Sequence, residues 1–161
     1  MFPPQSSLAR LLDGPVQPGI VAWLGLRPAR AAPVCAVENA NLVADQGVEG
    51  DRYKSGRGRQ VTLIAAEDIA AIAAFLGRAD LPPELLRRNI LTRRINLAAL
   101  KGRRFRVGPA LLETTGECAP CSRMEAILGP GGYNAVRGHG GITARIVESG
   151  TVRIGDTIVR E

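Results

Sequence analysis

Two of the three cysteines stand three positions apart in Cys118-Ala119-Pro120-Cys121, and Ser122-Arg123-Met124 follows. A thiol at the start of a helical run, beside a cation, is in the arrangement that favours a thiolate. Thiolates attack, carry sulfur or bind soft metals. The pair has four readings. As half of a zinc site it needs Cys35 and the lone His139, at spacings that match no usual zinc module. As a dithiol redox centre it has the intervening proline but lacks a thioredoxin-like βαβ setting. Either cysteine is also compatible with a small buried hydrophobe. The fourth reading is a functional thiol in a cofactor or substrate pocket.

Other candidates are arginines set among turns. Gly47-Val48-Glu49-Gly50-Asp51-Arg52 packs two carboxylates and a guanidinium into one turn, where Asp51 could orient Arg52 toward a pocket; an exposed turn with a neighbouring ion pair fits equally. Arg87-Arg88-Asn89 closes a helical segment and enters a strand, which places guanidinium and amide groups at a barrel rim suited to an anionic cofactor. Gly129-Pro130-Gly131-Gly132 and Gly138-His139-Gly140-Gly141 flank one helix-length stretch, with Arg137 and Arg145 beside them. No Gly-Lys-Ser/Thr follows, so neither is a phosphate loop. Such glycines either admit a ligand close to the backbone or simply turn the chain. His139, between glycines, reads as a solvated loop residue.

The elements that must position these groups are short. Gly19 to Leu26 reads as a strand ended by Arg27-Pro28, Val34 to Val43 alternates loosely, and Asp45-Gln46-Gly47 turns the chain. Gln60 to Ala65 is a strand. Glu67 to Leu76 is the clearest helix, with acids in its first turn and Gly77 after its end. A second short helix starts at Pro82-Pro83-Glu84 and ends near Arg87. Strands are expected at Asn89 to Thr92, Arg103 to Val107, Ala110 to Thr115, Ile142 to Val147 and Val152 to Val159, with Gly150 and Gly155-Asp156 as turn chemistry. Short strands at this spacing predict a mainly β fold, a barrel or sandwich carrying a few short helices. Without regular βαβ alternation, a doubly wound sheet is disfavoured. The Pro-rich residues 1–18 are expected to form a loose arm, and residues 19–161 one domain.

Net charge is +6, most of the 21 basic residues being arginine. Clusters at Arg57-Gly58-Arg59, Arg87-Arg88, Arg93-Arg94 and Arg103-Arg104 could attract nucleic acid, but they are dispersed. Aromatic residues are only 4%, too few to build a stacking platform. Arginine also forks well onto small phosphates and carboxylates, which favours a small-molecule ligand. No signal peptide or bilayer-length apolar run is seen, and three cysteines do not make a disulfide framework; a cytoplasmic protein is expected.

In this order the pieces resemble the MOSC domain, named for the C-terminal part of molybdenum-cofactor sulfurases. The resemblance runs from about Gly19 to Val159. It is carried by the Gly47-to-Arg52 turn, Gln60-Val61-Thr62-Leu63, Arg87-Arg88-Asn89-Ile90-Leu91-Thr92 and Leu100-Lys101-Gly102. Phe105-Arg106-Val107-Gly108, the Cys-Ala-Pro-Cys segment, Gly140-Gly141-Ile142-Thr143-Ala144-Arg145 and Gly150-Thr151-Val152-Arg153-Ile154-Gly155-Asp156 continue it. The resemblance implies a mostly β barrel with one functional cysteine, Cys121 rather than Cys118. In relatives that reduce N-hydroxylated compounds, that cysteine ligates molybdenum and an Arg-x-Asn segment, here Arg87 and Asn89, helps hold the pterin. Sulfurase relatives are thought to carry sulfur as a persulfide. Larger relatives add an N-terminal barrel-type domain, which this chain is expected to lack. Pro120 before the cysteine is as in small stand-alone bacterial members.

The resulting expectation is a molybdenum–pterin protein that reduces N-hydroxylated small molecules, with Cys121 as metal ligand and Arg52, Arg87, Asn89, Arg137 and Arg145 around the cofactor. The alternatives are a persulfide sulfur carrier and a basic nucleic-acid-binding barrel. Nothing in the sequence supports pyridoxal phosphate. With no flavin, haem or iron–sulfur motif visible, a reductase would take electrons from a partner protein and a carrier would take sulfur from a donor protein.

Overall fold

A computed structural model of the chain describes residues 2–54 and 58–161. Among the described residues, eleven strands and four short α-helices follow one another, with two 3-10 turns. In chain order they are α1 (Ser7–Leu12), β1 (Gly19–Leu26), β2 (Cys35–Val37), β3 (Asn39–Val43), β4 (Gly47–Val48), β5 (Val61–Ala65) and α2 (Ala66–Phe75). Then come the 3-10 turn Pro83–Leu86, β6 (Ile90–Arg93), the 3-10 turn Leu97–Leu100, β7 (Arg104–Val107) and β8 (Ala110–Glu117). The chain continues with α3 (Ser122–Leu128), α4 (Gly132–Val136), β9 (Ile142–Glu148), β10 (Gly150–Arg153) and β11 (Thr157–Arg160).

Strands β11, β7, β8, β9, β5, β6 and β1 pair in that order, and β1 pairs back onto β11 through Gly19 with Ile158 and Ile20 with Thr157. The result is a closed seven-stranded barrel, which leaves no free edge within the ring. Strand β2 pairs onto β1 outside the ring, and β10, β3 and β4 form a separate small sheet. Pairing is antiparallel except between β5 and β6, which are parallel and joined by α2. A parallel pair needs such a crossover, because no tight turn can return the chain to the same end of the sheet.

Alternation along β5 explains how the barrel carries its helices. Val61, Leu63 and Ala65 pack into the barrel interior, where Phe105, Val107, Leu112 and Ile146 meet them. Ile64 points the other way, into a second cluster with Ile72 and Ala73 of α2, Met124 and Leu128 of α3, and Ala135 and Val136 of α4. β6 repeats the pattern, Ile90 inward and Leu91 outward. Each large apolar side chain so buried contributes roughly 1.5–3 kcal/mol relative to exposure. The outer face of β5 and β6 is thus a platform for the helices, and the candidate site lies at its edge.

Three segments differ from the sequence expectation. Val34 to Val43 is two strands in two sheets, with Glu38 between them. Val152 to Val159 is likewise broken, because the Asp156 carboxylate accepts from the Arg153 N–H (2.8 Å) and Gly155 takes φ +95°, folding a turn between β10 and β11. The helix expected from Pro82 is one 3-10 turn, stopped where Arg87 adopts φ 56°, ψ 39°. In the N-terminal segment, α1 is capped by the Ser6 hydroxyl, which accepts from Ala9 N–H (3.1 Å). Arg160 donates to the carbonyls of Leu12, Asp13 and Gly14 at the end of α1. Met1 and Arg57 of the first basic cluster lie outside the described residues. No described helix is long and apolar enough to cross a membrane.

Candidate functional site

Cys121 immediately precedes α3, so it stands at the N-cap with extended backbone, and its side chain makes no capping hydrogen bond. The helix holds it in place. Met124 and Leu128, four positions apart, bury one face of α3, and both carboxylate oxygens of Glu125 accept backbone N–H groups of the next turn, Gly131 (2.8 Å) and Tyr133 (2.7 Å). Those two hydrogen bonds stabilise the ionised form and hold the Glu125 carboxyl below its ordinary range.

The exposed Cys121 thiol faces a cleft of about 350 Å³. Among the described residues seven arginines line it, Arg27, Arg30, Arg52, Arg59, Arg87, Arg88 and Arg123, together with Tyr53, Ala119 and Met124. The arginines come from the ends of β1 and β4, the starts of β5 and β6, and the first turn of α3. Three are anchored. Arg27 is 6% exposed and sits in a bidentate ion pair with Asp51, Nε to Oδ1 at 3.1 Å and Nη2 to Oδ2 at 2.9 Å. Arg87 donates to the Ala32 carbonyl (2.6 Å). Arg88 donates to the Gly140 (2.9 Å) and Leu86 (2.7 Å) carbonyls.

Asn89 is the hub beneath this floor. Its Oδ1 accepts from Arg27 Nη2 (2.8 Å), Thr62 N–H (3.1 Å) and Thr62 Oγ1 (3.2 Å), and its Nδ2 donates to Asp51 Oδ1 and the Gly25 carbonyl, both at 3.1 Å. The amide is 2% exposed and fully engaged with protein groups, so it fixes the guanidinium above it.

The electrostatics are one-sided. Asp51 is the only carboxylate within salt-bridge distance of any of the seven guanidinium groups among the described residues. Burial, then the neighbouring Arg123, Arg27 and Arg52, hold the Arg87 guanidinium below its ordinary range, with Tyr53 acting in the opposite sense. Burial lowers Arg88 too, against an opposing influence from Cys118 and, more weakly, Cys121. Arg88 therefore lies within electrostatic reach of both thiols.

Cys118 serves a different compartment. It is 3% exposed and borders a second cavity of about 480 Å³, on which Pro120, Tyr133, Arg137 and Gly140 also open. The Cys-Ala-Pro-Cys segment is the wall between the two, with Ala119 facing both. Gly140 and Gly141 let two backbones meet behind that wall: Cys118 N–H donates to the Gly141 carbonyl (2.9 Å), and a Cβ on Gly140 would overlap the Cys118 carbonyl oxygen. This is their role here, one of backbone packing.

Of the residues expected at the site, the structure brings Cys121, Arg52 and Arg87 into the cleft and sets Asn89 beneath it. Arg137 borders the second cavity, and Arg145 reaches Glu113 (3.1 Å) on the barrel wall. Asp51 orients Arg27 rather than Arg52, whose guanidinium instead lies 4.6 Å from the centre of the Tyr53 ring. His139 is half-buried, paired with Asp68 (2.8 Å) and set against Phe75. Among the described residues no three His, Cys, Asp or Glu side chains gather as a metal site would need, and Cys35 is exposed on β2. Sequence reasoning missed Arg27 and Arg30, because Arg27-Pro28 reads as a strand terminator; the clue was a second arginine three positions on.

A thiol at the mouth of an arginine-lined cleft, set on the side of a closed barrel, defines the class. The family model for the MOSC domain matches residues 50–159, and the chain belongs to that family. Among solved structures the chain is similar to the YuaD protein from Bacillus subtilis, with TM-score 0.77 and 20% identity over 89% of this chain and 96% of that one. It is also similar to YiiM from Geobacillus stearothermophilus, with TM-score 0.70 and 15% identity over 89% and 75% of the two chains. YiiM from Escherichia coli gives TM-score 0.67 and 18% identity over 92% and 70%. At these identities the likeness establishes the fold. No curated protein matches the sequence.

Proposed function

We propose that the cleft at Cys121 holds a molybdenum–pterin cofactor, and that the protein reduces the N–O bond of a small N-hydroxylated compound. The observation that carries this reading is the pairing of one exposed thiol with a wall of arginines that, among the described residues, meets a single carboxylate. The donor chemistry fits the group. A thiolate is a soft ligand suited to a metal already bound through sulfur, and fixed guanidinium groups fork onto a phosphate. Cys121 would ligate the metal, while Arg87 and Arg88, each anchored on backbone carbonyls, would hold the anionic part, and Arg27, already paired with Asp51, would brace Arg87 through its carbonyl. When bound, the molybdenum supplies the two-electron chemistry. The chain's own part is to bind, to orient, and to offer positive charge that needs no rearrangement on binding.

Metal analysis of protein made in a cofactor-competent host, with Cys121→Ala alongside, tests the reading. Molybdenum bound by the parent and lost from the variant, together with N-hydroxylamine reduction, is the expected result. A parent without molybdenum, or a variant that reduces as fast, overturns it. One observation favours a second reading: Cys121 is exposed, so a partner's thiol could reach it. As a sulfur carrier the protein would gain one sulfur on Cys121 after incubation with a cysteine desulfurase, seen by mass spectrometry. Sulfur found equally on Cys35 would refute that reading.

A further inference from the structure

The seven arginines of the cleft fall into two groups by what they touch. Arg27, Arg87 and Arg88 donate to backbone carbonyls and form the inner wall. Arg30, Arg52, Arg59 and Arg123 have no side-chain hydrogen bond or ion pair among the described residues. Arg30 and Arg59 are exposed, Arg52 and Arg123 half-buried, and all four open onto the same cleft. Separate surface arginines are ordinary. Four guanidinium groups without a carboxylate partner, Arg52 among them stacked on Tyr53, converging on one concavity are different, because concave low-dielectric walls focus their field.

We infer that the molecule received by the outer part of this cleft is itself an anion, a small phosphorylated compound bound by the rim arginines Arg30, Arg52, Arg59 and Arg123. Charge is the reason. Asp51 offsets one of the seven guanidinium charges, and a cofactor phosphate would offset about two more. The remaining excess lies on the rim, on the solvent side of the anchored three. A neutral substrate would leave those cations to solvent and counterions, whereas a phosphate monoester accepts forked hydrogen bonds from them. The inference rests on the proposed reading for the reaction at Cys121; the charge on the rim does not depend on it.

Isothermal titration of the full chain with adenosine monophosphate and with adenosine, alongside its molybdenum content, provides the test. The variant is Arg30→Gln combined with Arg59→Gln, two exposed side chains with no described intramolecular bond, so the fold should be kept. The parent should bind the monophosphate at least about tenfold more tightly than adenosine. That gap should narrow as salt rises. The double variant should narrow the gap and keep the parent's molybdenum content. Equal affinity for the two probes, or a gap unchanged by the double substitution, overturns the inference. A parent without molybdenum whose gap still depends on the rim overturns the cofactor reading and leaves the anion site standing.

Discussion

Asp51 grips Arg27 at three points: its carboxylate accepts from the Arg27 backbone N–H (2.6 Å), from Nε (3.1 Å) and from Nη2 (2.9 Å). The Asp51 side chain is 0% exposed and the Arg27 side chain 7%. The loop after β4 is thereby tied to the end of β1, and the cleft floor is set by one carboxylate.

Removing that charge leaves a buried guanidinium without its partner. Asp51→Asn should cost about 3–5 kcal/mol, the range for breaking a buried ion pair. Urea unfolding followed by circular dichroism measures it. Arg27→Met in the same background should restore part of the loss. A cost below about 1 kcal/mol would mean that Asn89 and the backbone hold Arg27 without the carboxylate.

The thiols should divide by exposure. Cys35 and Cys121 are exposed and Cys118 is 3% exposed, so an alkylating reagent should modify two cysteines quickly and the third only on unfolding. Peptide mass mapping identifies them. In function, Cys118→Ser should keep most activity and molybdenum while Cys121→Ser loses both, the fold being intact in each. Equal loss in the two variants would point to dithiol exchange, in which one sulfur attacks and the other resolves.

Gly141 and Gly138 should respond differently to the same substitution. Both have positive φ, 85° and 79°, so alanine at either carries left-handed strain of about 1–2 kcal/mol. At Gly138 an added Cβ meets nothing within 4 Å, and strain is the whole cost. At Gly141 it would overlap the Leu63 carbonyl on β5, adding roughly another 1–3 kcal/mol of overpacking. Thermal unfolding of Gly138→Ala and Gly141→Ala compares them. Matching melting temperatures would show that β5 can yield at this contact.

The Glu125 staple should loosen in acid. Its folded-state carboxyl is held below the ordinary range by the Tyr133 and Gly131 N–H groups. The contribution is therefore full above the unfolded-chain value and is lost as pH falls through the lower folded value. A carboxyl-resolved NMR titration should place its midpoint below that of an unperturbed glutamate. Glu125→Gln should remove that part of the acid dependence and loosen the start of α4, giving faster amide exchange at Gly131 and Tyr133. An ordinary midpoint would mean the two hydrogen bonds do not persist in solution.

Most of the barrel was legible because its strands advertise themselves: the Gly19–Leu26 run and the β5 segment are apolar and bounded by turns, and α2 carries acids at its start and a glycine after its end. The break in Val152 to Val159 was hidden because Ile154 is apolar, although 49% exposed, and so continues the strand pattern across a turn. Cys121 and Arg87 were legible from their neighbours and from the family resemblance. The partner of Asp51 was not, because it lies 24 positions away and the contact exists only once β4 is folded against the end of β1. Residue spacing cannot report such a contact. The two gathered groups of arginines were scattered in sequence for the same reason.

Arg87, Arg88 and Asn89 follow one another and leave the backbone toward the cleft, the Gly140 carbonyl and the Asp51–Thr62 network respectively. The fan depends on the left-handed turn at Arg87, which resets the direction of the chain just before β6. One inserted or deleted residue between Leu86 and Ile90 would therefore advance all three at once, sending each side chain to its neighbour's destination. A substitution here removes the contacts of one side chain. A change of length misplaces those of all three, so the residue count of this segment is as much a part of the site as the side chains it carries.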